Sequence, residues 1–290
     1  MKSVIESLAL CISVLALFAC ASGHHALFTG EPALVRKINA IEKRLEKAVS
    51  ASPFLSMEVI GTVTYDNFQA PVRALTFNFH RDNGRKVLIS AGVHGNEPAG
   101  VNCAVRLAES LAKYPEKYKN DVYDIIAVVN PWGWSYDIRY NRHGIDINRD
   151  FASFKSQEAK FIREFVKGKK YDLMIDLHED PTAEGFYLYQ YGHPDKATAK
   201  QVIAKIKMMG YPTEQNVSMI ILKTKDGIID APMWGLWYMK LTRQLSIANF
   251  YRLNHSKNVF TLETPTRLPM EDRLKMQTIA VDMLLNGWLP

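Results

Sequence analysis

The chain has 290 residues, 47% of them hydrophobic and 23% charged, enough apolar material to bury a full core, so a disordered or fibrous protein is excluded. Its net charge of +6 comes from 36 Lys and Arg interleaved with 30 Asp and Glu, with no basic block carrying interleaved aromatics. Nucleic acid is therefore not an expected partner.

Residues 1–23, MKSVIESLALCISVLALFACASG, stand apart in composition. The apolar run from Leu8 to Phe18 is too short to span a bilayer as a mature helix, and Lys2 and small residues flank it, which is the pattern of a secretory signal peptide. Leu17-Phe18-Ala19-Cys20 looks like a bacterial lipobox, which would make Cys20 a lipid anchor, while Ala19-Cys20-Ala21 fits ordinary cleavage. Either reading exports the protein to the cell envelope, and the only membrane contact expected is that anchor. Cys103 is then the single cysteine of the mature domain, so no disulfide framework is expected. It sits in GVNCAVRLAESL, whose helical apolar spacing makes it a core side chain.

Residues 24–52 read as a tether, with His24 and His25 as linker residues, followed by an amphipathic helix with apolar residues at 34, 38, 41, 45 and 49. The catalytic domain is expected over 53–290. There, strands MEVIGTVTY, ALTFNF, KVLISAGV, VYDIIAVV, DLMIDLH, GFYLYQY and NVFTLET alternate with helical segments near 99–113, 156–167, 195–209 and 270–286. This alternation predicts one α/β domain with a mixed, mostly parallel central sheet flanked by helices, its ligand crevice at the carboxyl ends of the strands. The stretch 212–256 shows no clear period and is expected to form an elaborated active-site wall.

Three strands end in residues that bind metals or move protons. KVLISAGV runs into His94 and Glu97, DLMIDLH ends in His178 with Glu179 and Asp180 beyond it, and NVFTLET delivers Glu263. Two His and one Glu are a ligand set for catalytic zinc, which keeps a position open for water. The segment NPWGWSYDIRYNRHGIDINRDF, 130–151, adds Arg139, Arg142 and Arg149 beside Asn148. Planar guanidinium groups clamp carboxylates bidentately or stabilise a developing oxyanion.

These motifs resemble those of the zinc carboxypeptidases of the carboxypeptidase A-like superfamily, in the short bacterial branch that includes murein-peptide amidases and is related to succinylglutamate desuccinylase and aspartoacylase. HGNEPAG resembles the HxxE ligand motif, NPWG and RYNRHGIDINRDF the NPxG and RxNxxGxDxNRxF pattern, IDLHED the third-ligand strand, and TLET the strand of the catalytic glutamate. HGNE is shared with the desuccinylase branch, but Arg139 stands ten residues before Arg149, the peptidase offset, whereas the desuccinylase branch has its upstream arginine eight residues before, where this chain has Asn141.

The resemblance implies one zinc ion (Zn2+) on His94, Glu97 and His178. Glu263 would be the general base that takes a proton from water and passes it to the leaving amine, and Arg139 the oxyanion stabiliser. Asn148 and Arg149 would grip the terminal carboxylate, with Asp146 orienting His94. Family peptidases carry a mobile tyrosine before the glutamate; Tyr251 and Tyr238 are the candidates, Tyr251 preferred for substrate binding. The Glu179-Asp180 pair departs from the family's usual serine and suggests either a preference for cationic substrates or a solvated turn. Export and the short fold imply murein peptides as substrate. The alternatives are an N-acyl amino acid deacylase and a non-catalytic peptide-binding protein.

Overall fold

The computed structural model describes residues 32–79, 84–191, 197–215, 218–219 and 222–286. The signal-peptide and lipobox readings, with Cys20, His24 and His25, lie outside the described residues. Eight strands form one sheet in the order β1-β2-β4-β3-β5-β10-β6-β9. They are β1 (Leu55–Tyr65), β2 (Phe68–Asn78), β3 (Arg85–Ala91), β4 (Asp121–Ile126), β5 (Leu173–Asp180), β6 (Tyr187–Tyr191), β9 (Ile228–Ala231) and β10 (Val259–Pro265); β7 (Ser218–Met219) and β8 (Leu222–Lys223) pair in a separate ribbon.

The centre is parallel. β3 pairs in parallel with β4 and β5, and β5 with β10, while β1-β2, β2-β4 and β10-β6 are antiparallel. Parallel strands must be covered on both faces, and β3 reads accordingly as Val87-Leu88-Ile89-Ser90-Ala91, buried throughout. Its side chains alternate between two cores: Val87, Ile89 and Ala91 join one, Leu88 the other.

The first core lies under helices α1 (Ile38–Ser50), α2 (Pro98–Lys113), α5 (Ala197–Met208) and α8 (Met270–Asn286). The second lies under α4 (Gln157–Val166) and α7 (Ile247–Asn254), with α3 (Pro131–Tyr136) at its rim. Cys103 is buried on α2, as its spacing predicts.

Three expectations need correction. The opening helix begins at Ile38, and Leu34 is exposed rather than part of its apolar face. The reason is Arg36: its backbone and that of Val35 both donate to Ser135 O, and its guanidinium donates to the carbonyls of Gly95 and Trp134 and to Asp137. Those bonds fasten residues 35–36 to α3 and to the Gly95 turn, so the start of the segment expected as helix packs onto the domain instead of continuing the helix. Second, KVLISAGV stops as a strand at Ala91, because Gly92 turns the chain with φ +65° and a Cβ there would meet Val101 at 2.8 Å. Third, residues 212–256 form more than a wall: β9 extends the sheet edge, followed by α6 (Met233–Leu241) and α7.

Candidate active site

Parallel strands β3, β5 and β10 point their carboxyl ends to one edge, and three connections bring the polar residues there. After Gly92 the chain passes through His94 and Glu97 into α2, with Pro98 as its first residue. Gly95 lies against α3: a Cβ on Gly95 would sit 1.9 Å from the Gly133 carbonyl carbon. The NPWG segment is the start of this short helix, with Asn130 accepting from Gly133 N at 2.8 Å and Pro131 in its first turn. Only backbone fits between the two motifs, so the ligand turn and the α3 turn position each other.

The arginine segment is pinned from below. Asn141 is fully buried, accepts from the backbone of His143 and Ile145, and donates to Tyr65 and Glu158. Asp150 closes the segment by accepting from Lys155 N, Ser156 N and Ser156 Oγ. Arg139, Asp146 and Arg149 therefore sit on a fixed frame rather than a free loop.

His94, Glu97 and His178 converge, all buried, each offering a ligand atom within 4.8 Å of the others. His94 Nδ1 lies 2.5 Å from Glu97 Oε1, and His178 Nδ1 lies 2.8 Å from Glu97 Oε2. Each imidazole has its other nitrogen against an aspartate: His94 Nε2 against Asp146 at 3.2 Å and His178 Nε2 against Asp176 at 2.8 Å. With Nε2–H donated to carboxylate, both Nδ1 lone pairs face the same point, the arrangement metal-ligating histidines adopt. Burial raises the Glu97 carboxyl, but His94 and His178 outweigh it and hold the group well below the usual carboxylate range. The donor set and its supports fit a divalent metal.

Glu263 stands beside this cluster by register. In parallel β5 and β10 it pairs with His178, so the two side chains share a face, as do Asp176 and Asp180 on β5 and Thr261 on β10. Burial is the largest influence on Glu263 and raises its carboxyl well above the ordinary range; His178 opposes, and Glu97, Asp180 and Asp176 add to the rise.

Arg139 is one-third exposed, with Nη2 2.9 Å from Asp146 Oδ2 and Nη1 3.7 Å from Glu97 Oε1. Burial opposes its charge, but Asp146 and Glu97 keep it firmly protonated. Arg149 donates to Asn148 O and lies close enough to Asp146 and Tyr189 to act on both electrostatically. Asn148 is buried to within 9% of its surface and its Oδ1 accepts from Ile247 N at 3.0 Å.

Two assignments change. Tyr251 is 1% exposed on α7, in the core beneath the sheet, where burial and Asp176 suppress its ionisation. It is thus held in the core and is not exposed as a substrate-contacting tyrosine is expected to be. Tyr238, the other candidate, lies on α6. Glu179 points away from His178, into the opposite layer, where it accepts from Ala99 N and pairs with Arg273 of α8. Only Asp180 of that acidic pair faces the crevice, and it accepts from Tyr187 and Thr182.

Sequence reasoning missed three contributors. Asp176 was hidden inside an apolar strand, although position i−2 from a strand-borne ligand always shares its face. Tyr189, half-buried on β6, is near enough to Glu263 and Arg149 for both to shift its ionisation, burial being the larger influence. Gln277 of α8 donates to His178 O at 2.7 Å and so ties the last helix to the ligand strand. For Asp176 the effect is measurable: Asp176→Asn is expected to weaken metal binding about 10–100-fold, the usual cost of losing a ligand's supporting carboxylate. Competition with a chelating dye reads it, and unchanged affinity would remove Asp176 from the site.

Comparison with known proteins agrees with this geometry. Of curated relatives, Carboxypeptidase 2 of Trichophyton tonsurans is 32% identical over 106 residues, which is 35% of this chain and 20% of that protein. The chain thus spans about a fifth of the length of those fungal carboxypeptidases. Succinylglutamate desuccinylase of Pseudomonas paraeruginosa is 27% identical over 200 residues, covering 63% of this chain and 57% of that one. Among solved structures, a "putative metallopeptidase" of Shewanella amazonensis superposes with a TM-score of 0.73 at 19% identity, over 90% of this chain and all of the other. A metallo-carboxypeptidase of Burkholderia cenocepacia gives 0.59 at 18% identity, over 84% and 67% of the two chains. The α/β sheet is therefore of the carboxypeptidase-like kind. The family pattern of the succinylglutamate desuccinylase/aspartoacylase catalytic domain matches residues 83–263, which is more than half of the sequence and runs from the first ligand strand to Glu263. The chain belongs to that family.

Proposed function

We propose that the protein is a zinc-dependent hydrolase that cleaves a peptide or amide bond next to a free carboxylate. The observation that carries this is the register of β5 and β10, which sets Glu263 beside the His94, Glu97 and His178 cluster. A metal held by those three residues supplies polarisation of a carbonyl and of a water molecule. Glu263 takes the proton from the attacking water and delivers it to the leaving nitrogen, a role suited to a carboxyl that burial has raised. Arg139, fixed on Asp146 beside the ligands, stabilises the developing oxyanion; Arg149 and the amide of Asn148 hold the substrate carboxylate.

The carboxypeptidase reading rests on Arg139, whose position against Asp146 and Glu97 gives the ten-residue offset from Arg149 a structural role. The deacylase reading has the family match behind it and requires the same machinery on an N-acyl amino acid. Murein peptides remain the preferred substrate because residues 1–23 read as an export signal. The test is metal analysis and hydrolysis on one sample of the full chain, with murein tripeptides and tetrapeptides against N-acyl amino acids. One equivalent of zinc and release of a terminal amino acid or diamino acid are expected. Activity on acyl amino acids alone would make the protein a deacylase. A metal-free, inactive chain that still binds peptides would make it a binding protein.

A further inference from the structure

Helix α6, MWGLWYMKL, is apolar at nearly every position, yet only Leu236 is fully buried. Met233, Trp234, Trp237 and Leu241 are 37%, 59%, 59% and 82% exposed. Trp234, Trp237 and Leu241 follow one another at helical spacing of three and four, so they share one outward face. Exposing two indoles together is costly in water, and contiguous apolar patches of this kind mark interaction sites.

The charge around the face selects the occupant. Between Asp230 and Glu263 the sequence has no acidic residue, while it has Lys240, Arg243, Arg252 and Lys257. Lys240 and Arg243 are exposed at the end of α6, and the Lys240 ammonium lies 5.2 Å from the centre of the Trp237 ring. Exposed tryptophans with adjoining cations, in a stretch that has no carboxylate from residue 231 to 262, match the boundary between acyl chains and anionic headgroups. Nine residues make a helix of about 13 Å. That length lies flat in the interface rather than crossing it.

We propose that α6 is a docking helix for an anionic phospholipid surface, with Trp234, Trp237 and Leu241 entering the acyl boundary and Lys240 and Arg243 on the headgroups. The proposal does not depend on the lipid anchor or on the catalytic reading. It does have a consequence for the site, because the chain leaving α6 is stitched to the substrate-clamp segment. Leu245 O accepts from Phe151 N at 3.1 Å, and Ile247 N donates to Asn148 Oδ1. A docked α6 therefore holds the Asn148–Arg149 clamp close to the bilayer surface.

The test uses the full chain and vesicles of phosphatidylcholine with or without phosphatidylglycerol, with bromine on the acyl chains to quench tryptophan on contact. Quenching by the anionic vesicles is expected, with most of it lost in the Trp234→Ser/Trp237→Ser double variant, whose thermal unfolding should match the parent because both side chains are exposed. Lys240→Gln/Arg243→Gln should need about 25-fold more anionic lipid for half-maximal quenching. Equal quenching in parent and double variant would overturn the proposal, since contact would then be elsewhere. So would an unquenched parent, or lipid-free sedimentation showing a dimer that the double variant abolishes, which would assign the face to a second copy of the chain.

Discussion

Glu263→Gln is expected to leave metal content unchanged and to lower turnover by about 10²–10⁴-fold, the range a positioned acid–base group supplies. The amide keeps the size of the carboxylate but exchanges one acceptor oxygen for an NH2 donor and takes up no proton at neutral pH. Glu263 is outside the His94, Glu97 and His178 set, so its loss does not subtract a ligand. Removing a buried carboxyl whose neighbours include Glu97, Asp180 and Asp176 also relieves like-charge repulsion, so the variant should unfold no earlier than the parent. Metal analysis, thermal unfolding and single-turnover hydrolysis on the same sample check all three statements. Full activity would sink the base assignment, and a metal-depleted variant would mean that Glu263 helps bind the ion.

Arg139→Lys is expected to lower kcat about 10²–10³-fold while KM changes much less, because losing an oxyanion donor costs transition-state rather than ground-state binding. Arg149→Lys should do the reverse and raise KM. The contrast follows from where the two guanidinium groups are held. Arg139 donates through both Nε and Nη2 to Asp146 Oδ2, which aims the remaining Nη1 at the ligand cluster; a lysine ammonium cannot reproduce that fork. Asp146 also supports His94, so metal content must be measured in parallel. Intact metal with depressed kcat supports a direct role. Lost metal would show that Arg139 acts only by steadying Asp146.

What could be read from the sequence divides along physical lines. His94, Glu97, His178 and Glu263 could be picked out because each lies at or shortly after the end of an apolar run, and the strands of an α/β sheet gather such ends at one edge; Asp146 lies in the arginine segment and was singled out only through the family resemblance. The face of Glu179 was also open to reading, since period-two alternation puts it opposite His178. Asp176 was obscured by its neighbours: a carboxylate inside LMIDLH reads as a flaw in an apolar strand until a ligand two residues away explains it.

The region after residue 212 resisted for a different reason. α7 is only eight residues long, although Ser246 caps it by accepting from Asn249 N and Ile247, Phe250 and Tyr251 mark its buried side. That short period places Tyr251 on the buried side of the helix, in the core. α6 is apolar at nearly every position, so it has no amphipathic period to detect, and its exposure becomes visible only in the folded structure, where Leu236 alone of its residues is buried.

The ties from α8 to the strand of His178 join parts of the chain that lie far apart in sequence. Arg273 reaches Glu179 and Gln277 reaches His178 O across separations of 94 and 99 residues, so that strand is braced by a distant helix. His94 and Glu97 lie on one turn and can meet locally, but the pocket they share with His178 takes shape only when this long-range docking is complete. The three donor groups are thus brought together by folding itself, and an unfolded chain offers no such site.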